Sequence, residues 1–387
     1  MENKLNNLTI YPLENIKQFY PQKITNNEDI DLSIGQLEES VFDTNDPDPV
    51  LLLKGVGRYS SPKGESHVTM AIATWLRDEI GLAELLGSDN IVPTNGSREA
   101  LFSICNFLIT SNEDIVLIPE PYYQIYKSSI ELTGAKPIFY NSDVDSNFIS
   151  SIEEIPEDIL KKTKLIYICS PSNPTNKTLE QHEWEYILKM SHKYDFIIVS
   201  DECYVDFFYN KKTISALNVS EYYHFRNVVS LFSMSKSFCI PGARCGFIVG
   251  DNSFIRDFSR YRNYTGLSVS TLQQELIVKL LPDIKKTASL RDIYTKKVNA
   301  FYDLLCDLTP LTKPDYGFYY WMNVGGDGER FASELYRHTA VKTLPGSFFT
   351  GVRSNHIRIA LTQSLEDIME AAVRIKGFIE SYPYRGT

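Results

Sequence analysis

The sequence lacks the features that mark metal centres, disulfide frameworks and membrane spans. The six cysteines include no Cys-x-x-Cys pair, and no two of the six histidines stand four residues apart, so we predict no metal site and reduced cysteines. No stretch approaches the roughly 18 apolar residues of a membrane span, and residues 1–7 have no apolar core of signal-peptide length. We therefore expect a cytoplasmic protein with no membrane partner.

Positive charge is also scarce. The chain has 39 Lys and Arg against 49 Asp and Glu, a formal net charge of −10, and the resulting field repels phosphate backbones. We expect no nucleic-acid partner. With 387 residues, 43% of them hydrophobic and 23% charged, the chain has the balance of a soluble globular protein and is too long for one ordinary core, which predicts two domains.

Short apolar runs alternate with helical patterns between about residues 90 and 250. Several of these runs are continuously apolar, which is typical of strands that helices cover on both faces. The pattern predicts an α/β fold whose large domain contains a seven-stranded, mostly parallel sheet, and ligands of such sheets bind at the carboxyl ends of the strands. The predicted strands are residues 90–94, 114–119, 136–140, 165–169, 196–200, 228–232 and 245–250.

The pattern changes after about residue 285. A long helix, an aromatic strand at 317–323, a helix near 330–338, two short strands and a closing helix near 365–381 predict a smaller α+β domain. Residues 1–45 are polar and irregular, and we expect them to fold back onto it. We thus predict a large domain of residues 46–285 and a small domain of residues 1–45 and 286–387, with Pro47 and Pro49 at the boundary.

Residues 233–246 place one lysine among hydroxyls, small residues and an arginine, directly after a predicted strand. Ser233, Ser235 and the guanidinium of Arg244 suit a phosphate dianion, and Lys236 becomes a nucleophile toward an aldehyde if its pKa is lowered. Bringing that pKa close to neutrality takes about 3 units, or about 4 kcal/mol of differential stabilisation. A Ser-x-Ser-Lys sequence alone more often marks a solvated loop lysine among ordinary turn residues.

The longer match, Ser-x-Ser-Lys followed by Pro-Gly-x-Arg-x-Gly, resembles the cofactor-lysine motif of the fold type I pyridoxal-phosphate (PLP) enzymes, in their class I/II aminotransferase branch. The resemblance extends from Tyr59 to Arg358. It implies the PLP-dependent transferase fold type I, pyridoxal 5′-phosphate as cofactor, and Lys236 as the catalytic residue that holds the cofactor and moves a proton as general base and acid.

The same resemblance implies roles for further residues, each of which has an ordinary alternative. Asp201 would pair with the pyridine nitrogen, although an aspartate after a strand also caps helices. Asn173, in an Asn-Pro turn where Asn176 replaces the usual glycine, would reach the ring's phenolic oxygen together with Tyr204. Tyr123 would stack on the ring, although core packing is the default for one of 24 tyrosines. The implied phosphate contacts are Gly96, Ser97 and Arg98 at a helix start, beside Ser233, Ser235 and Arg244.

Substrate and subunit contacts are implied in the same way. Arg358 lies mid-strand among apolar residues, and the resemblance makes it the clamp for the substrate α-carboxylate, with Gly35 and Asn173 beside it; an internal salt bridge is the alternative. Tyr59 matches a tyrosine that reaches the PLP phosphate of the partner subunit, which implies a homodimer. Lys63, Arg262 and Tyr264 are candidates for binding a distal carboxylate of the substrate. An ordinary surface location is at least as good an explanation for each of them.

Four strings, residues 95–102, 122–126, 200–204 and 317–324, resemble the succinyldiaminopimelate aminotransferases of bacterial lysine and peptidoglycan synthesis. This implies N-succinyl-diaminopimelate and 2-oxoglutarate as substrates. Residues 35–37 read Gly-Gln-Leu where such enzymes commonly have Gly-Glu-Pro. The alternatives are an aminotransferase for aspartate, aromatic or other amino acids and a PLP-dependent carbon–sulfur β-lyase; a regulatory DNA-binding protein lacks support because residues 1–45 show no basic helix-turn-helix pattern.

Overall fold

A computed structural model describes residues 16–39, 57–142, 147–309 and 311–381. Its strands are β1 (Ile30–Asp31), β2 (Ile91–Thr94), β3 (Ile115–Glu120), β4 (Lys136–Asn141), β5 (Thr163–Cys169), β6 (Ile197–Asp201), β7 (Val228–Ser233), β8 (Gly246–Gly250), β9 (Tyr319–Asn323), β10 (Val341–Lys342), β11 (Leu344–Pro345) and β12 (His356–Ala360).

Helices connect and cover these strands. The α-helices are Ile16–Phe19, Ser66–Trp75, Ser97–Leu108, Gln124–Thr133, Phe148–Glu153, Glu157–Leu160, Gln181–Tyr194, Ala216–Ser220, Met234–Ser237, Asn252–Thr265, Thr271–Leu280, Ile284–Leu305, Gly328–Thr339, Ser347–Thr350 and Leu365–Ser381. A π-helical segment, Leu76–Ile80, continues the second of them, and short 3₁₀ turns cover Glu221–Tyr223 and Pro241–Ala243.

The large sheet has seven strands in the order β2-β8-β7-β6-β5-β3-β4, which confirms the predicted α/β fold and its mostly parallel sheet. Strand β8 runs antiparallel to both of its neighbours. Strand β2 therefore runs in the same direction as β7. Apolar cores cover both faces of the sheet, one containing Tyr126 and Phe258 and the other Trp184 and Phe196. The ends of β2, β3, β5, β6 and β7 consequently meet at one edge.

A second region is built around the three-stranded sheet β11-β12-β9 and the parallel pair β1-β10. Ile30 and Leu32 from the amino-terminal side pack in one core with Phe301, Ile359 and Ile375 from the carboxyl-terminal side. The domain bounds stay a prediction, and Pro47 and Pro49 lie outside the described residues.

The described residues contain neither a membrane-spanning helix nor a cluster of metal ligands. None of the helices within those ranges is long and apolar enough to cross a membrane. In the same part of the chain, no group of three or more His, Cys, Asp or Glu side chains is arranged to hold a metal ion. The cellular location stays a prediction.

Candidate functional site

A cavity of about 410 Å³ opens at the edge where the parallel strands end. Its wall brings together most of the residues singled out from the sequence, although they are spread over more than 300 positions. Of the fourteen residues given a catalytic, cofactor or substrate role above, twelve line it: Gly35, Ser97, Arg98, Tyr123, Asn173, Asp201, Tyr204, Ser233, Ser235, Lys236, Arg244 and Arg358.

Lys236 lies on the short helix Met234–Ser237 that directly follows β7. Ser233 begins this helix, and its hydroxyl accepts a hydrogen bond from the backbone N–H of Ser235 at 3.3 Å. The Lys236 amine donates to the backbone carbonyl of Gly35 and lies 5.9 Å from the centre of the Phe318 ring. Burial, together with the positive charges of Arg358 and Arg98, lowers the pKa of Lys236 to about 8. At pH 7 about one amine in ten is therefore uncharged and nucleophilic, far more than at the ordinary pKa of 10.5.

Asp201 is the last residue of β6, and its side chain is only 4% exposed. Tyr126 Oη donates a 2.8 Å hydrogen bond to Oδ2, and the backbone N–H of Cys203 donates to Oδ1 at 3.3 Å. Burial raises the pKa of this carboxyl, while the hydrogen bonds from Cys203 and Tyr126 oppose the rise. A cationic ring nitrogen placed against Asp201 would compensate for the burial of its charge.

Three further polar groups, two hydroxyls and one amide, line the same cavity. Tyr204 follows β6, and its hydroxyl is 3.0 Å from the hydroxyl of Tyr319 on β9. Asn173, in the turn after β5, accepts a 2.8 Å hydrogen bond from Arg358 through Oδ1. Asn176 in that turn has a positive φ of 57°, a left-handed conformation that asparagine tolerates in place of glycine.

The predicted phosphate end is formed by the start of the helix Ser97–Leu108 and by Arg244. Gly96 has φ of 78°, and a Cβ on it would meet the guanidinium carbon of Arg244 at 2.9 Å, so only glycine lets the two approach. The Arg244 guanidinium also reaches the hydroxyl of Ser235 at 3.5 Å. Arg98 Nε donates to Tyr123 Oη at 2.8 Å and thereby orients that ring at the cavity wall.

Arg358 occupies the middle of β12 and is 5% exposed. It lies between the rings of Tyr319 and Phe349, with its guanidinium carbon 4.5 and 4.8 Å from their centres. Besides Asn173, it donates to the backbone carbonyl of Ser33 at 2.7 Å, and its buried Nε has no hydrogen-bond partner. Its acceptors are thus neutral, and a carboxylate in the cavity would supply the missing negative charge.

Other sequence candidates lie elsewhere. Tyr59 is fully exposed and does not line the cavity, and Tyr264 is 79% exposed. Lys63 forms an ion pair with Asp89 at 3.2 Å. Arg262 is 1% exposed and is ion-paired with Glu99, so it supports the helix Ser97–Leu108 from behind and does not face the cavity.

Sequence reasoning missed several residues that shape the site. Tyr126 orients Asp201, Tyr319 contacts Tyr204, and Gln36 and Phe349 line the cavity. Tyr126 stacks on Tyr167, with ring centres 4.7 Å apart, and both tyrosines lie in the core under the sheet edge. A tyrosine in a buried helix or strand gives no sequence signal for the direction of its hydroxyl.

The donor set fits PLP on the structure's own features. Three kinds of group meet at this cavity. They are the buried carboxylate of Asp201, the guanidinium of Arg244 with serine hydroxyls beside Gly96, and the amine of Lys236 with its lowered pKa. These are the groups that a pyridine nitrogen, a phosphate and an aldehyde require.

Comparisons with known proteins agree with this fit. The family model for aminotransferase class I and II matches residues 27–375. An aspartate aminotransferase of Thermotoga maritima is 27% identical over 87% of this chain and 88% of its own length, and an LL-diaminopimelate aminotransferase of Halothermothrix orenii is 27% identical over 82% of both chains. The crystal structure of an aminotransferase from Neisseria meningitidis superimposes with a TM-score of 0.89 at 27% identity, covering 99% of this chain and 100% of the other. The chain belongs to the class I and II aminotransferases, whose members use pyridoxal 5′-phosphate.

Proposed function

We propose that this aminotransferase exchanges an amino group between an L-amino acid that carries a second acidic group and a 2-oxo acid. N-succinyl-diaminopimelate with 2-oxoglutarate is the pair that the sequence strings favour. The observation that carries the proposal is the shared cavity wall of Lys236, Asp201 and Arg358.

When bound, PLP supplies the aldehyde that captures the amino group and the ring that accepts electrons. Arg358 binds the substrate α-carboxylate and Asp201 holds the proton of the ring nitrogen by its negative charge. The uncharged amine of Lys236 removes the proton from the substrate α-carbon, and the lowered pKa of Lys236, about 8, keeps that base available near neutral pH. Asn173 and Tyr204 would orient the ring, and the residues that would hold the phosphate are Gly96, Ser97, Arg98, Ser233, Ser235 and Arg244.

The support for an acidic substrate is the resemblance of residues 95–102, 122–126, 200–204 and 317–324 to succinyldiaminopimelate aminotransferases. The cavity cations Arg98, Arg244 and Arg358 are matched by the cofactor phosphate and the α-carboxylate, so a second acidic group would depend on other donors. Gln36 lines the cavity where succinyldiaminopimelate aminotransferases commonly have glutamate, a departure at the substrate edge, and its amide is a neutral hydrogen-bond donor available to a second carboxylate. Aspartate is the second candidate substrate, favoured by the Thermotoga maritima relative.

The test is a half-reaction screen of the purified protein with single amino acids, followed through the visible absorbance of the bound cofactor. We expect conversion with N-succinyl-diaminopimelate and L-glutamate and little with the neutral isostere L-glutamine. Conversion with L-aspartate alone would select the second candidate, and conversion confined to neutral amino acids would contradict the acidic class. Release of ammonia and thiol from cystathionine would indicate a β-lyase, and the variant Lys236→Ala is the inactive control.

We also propose a homodimer in which Tyr59 contributes to the phosphate site of the partner subunit, consistent with its full exposure in the single chain. Neither Lys236→Ala nor Tyr59→Ala alone would form a fully competent site. Mixed subunits of the two variants would regain activity, because one of the two shared sites would then carry neither substitution. A fully active monomer by light scattering at the assay concentration would contradict the proposal.

A further inference from the structure

Tyr319 touches three parts of the cavity at once. It is the first residue of β9 and is 1% exposed. Its ring lies 4.5 Å from the guanidinium carbon of Arg358, its hydroxyl is 3.0 Å from the hydroxyl of Tyr204, and a Cβ on Gly35 would collide with that same hydroxyl. The position of the hydroxyl is therefore fixed from several sides.

The two phenols share one hydrogen bond, and each has a single proton to donate. If Tyr204 donated to Tyr319, it would have no proton left for a group in the cavity. If Tyr319 donates, the Tyr204 proton is free to point into the cavity. Only the second arrangement is compatible with the role proposed for Tyr204, which is to donate to the phenolic oxygen of the cofactor.

We propose that the Tyr319 hydroxyl is a positioning group that donates to Tyr204 and directs the Tyr204 proton at the phenolic oxygen of bound PLP. The inference rests on the proposed cofactor contact of Tyr204 and deepens it. A donor that is itself hydrogen-bonded becomes more polarised, so Tyr319 also strengthens the bond that Tyr204 makes.

The titratable groups that face Tyr319 come from three directions. Tyr204 and Cys203 follow β6, Cys169 ends β5, and Arg358 lies on the adjacent strand β12. Burial raises the pKa of Tyr319, and the positive charge of Arg358 offsets only part of the rise. The phenol consequently keeps its proton and remains a donor over the working pH range.

The measurement is a pH titration of the visible absorbance of the holoenzyme and of the variant Tyr319→Phe. Phenylalanine keeps the ring beside Arg358 and removes only the hydroxyl. Donors at the phenolic oxygen stabilise its anionic form, so a weaker donor raises the midpoint of the titration, and we expect an increase on the order of 0.3 pH unit. The equilibrium dissociation constant for PLP, measured on cofactor-free protein, should rise in parallel.

Tyr320→Phe is the matched control. Tyr320 is the next residue on β9, is equally buried, and donates its hydroxyl to the backbone carbonyl of Val298 at 2.9 Å, away from the cavity. It should lose thermal stability as Tyr319→Phe does while its absorbance midpoint and PLP affinity match the wild type. A midpoint and affinity in Tyr319→Phe equal to those of Tyr320→Phe would overturn the inference.

A double-variant comparison separates this inference from the function on which it depends. Tyr204→Phe should raise the midpoint more than Tyr319→Phe, and adding Tyr319→Phe to Tyr204→Phe should cause no further change, since the proton being directed is already gone. If Tyr319→Phe raised the midpoint by the same amount in the Tyr204→Phe background as in the wild type, Tyr319 would act elsewhere. A wild-type protein that gave no PLP absorbance would instead refute the assignment of the cofactor site itself.

Discussion

Replacing Glu202 by glutamine should make the protein more stable at alkaline pH and leave its stability nearly unchanged in acid. Glu202 follows Asp201 but lies away from the cavity and is 1% exposed. Its Oε1 accepts hydrogen bonds from the Ser200 hydroxyl at 3.0 Å and from the backbone N–H of Ala216 at 3.3 Å, whereas Oε2 is buried without a partner. Burial raises the pKa of Glu202 from its ordinary value of 4.5 to about 7.

The direction of the effect follows from proton linkage. Below pH 4.5 the folded and unfolded states both carry the proton, and the carboxyl contributes no pH dependence. Between pH 4.5 and 7 only the folded state retains the proton, so the unfolding free energy falls as pH rises; above 7 the full loss is present. The difference between the pKa values of 4.5 and 7 corresponds to a loss of about 3 kcal/mol of unfolding free energy. Glutamine resembles the protonated acid and does not titrate, so the variant avoids that loss.

The assay is thermal unfolding of wild type and Glu202→Gln at pH 5 and pH 8.5, followed by circular dichroism with PLP present. We expect similar melting temperatures at pH 5 and a variant that melts a few degrees higher at pH 8.5. Glu185→Gln, an exposed glutamate that bonds Gln181, controls for the lost negative charge. A variant destabilised equally at both pH values would show that Glu202 is needed as an anion and would refute the reasoning.

Three other outcomes are expected. Arg358→Lys keeps the positive charge but loses bidentate hydrogen bonding to the substrate carboxylate. Steady-state kinetics should therefore show a higher KM for every amino acid, and an unchanged KM would place the carboxylate elsewhere. Lys297→Met leaves Glu39 without its buried partner and should cost about 3–5 kcal/mol in urea unfolding, with much of the loss recovered in Lys297→Met/Glu39→Gln. The rate at which cofactor-free protein captures PLP should rise with pH around a midpoint near 8, the pKa of Lys236; a midpoint near the ordinary 10.5 would contradict the burial of its amine.

The sheet was predictable because its strands are buried on both faces. Continuous apolar runs such as residues 165–169 and 196–200 leave no helical or alternating interpretation, and β5 and β6 lie within two residues of the predicted bounds. The placement of Lys236, Asp201 and Asn173 at one edge followed from strand direction alone. The antiparallel direction of β8 did not, because β8 is buried along its whole length, as the parallel strand β7 is, and its apolar composition does not distinguish it from the parallel strands.

Contacts between distant side chains were not predictable. Arg262 was a candidate for a substrate grip, yet it pairs with Glu99, which is 163 positions away in the sequence. The hydroxyl directions of Tyr126 and Tyr319 depend on how helices and sheets pack, and neither residue differs in its local pattern from an ordinary core tyrosine. The role of Tyr59 stays a prediction because it concerns a second subunit.

The contact between Arg358 and the carbonyl of Ser33 joins residues separated by 325 positions. During synthesis the large sheet has all its strands once β8 has left the ribosome, but the carboxylate-binding wall requires β12, more than 100 residues later. Domains generally fold as units while the chain emerges. A nascent chain thus completes the PLP-binding edge before it can hold a substrate, and stalled chains ending between residues 300 and 340 should capture the cofactor without turning over amino acids.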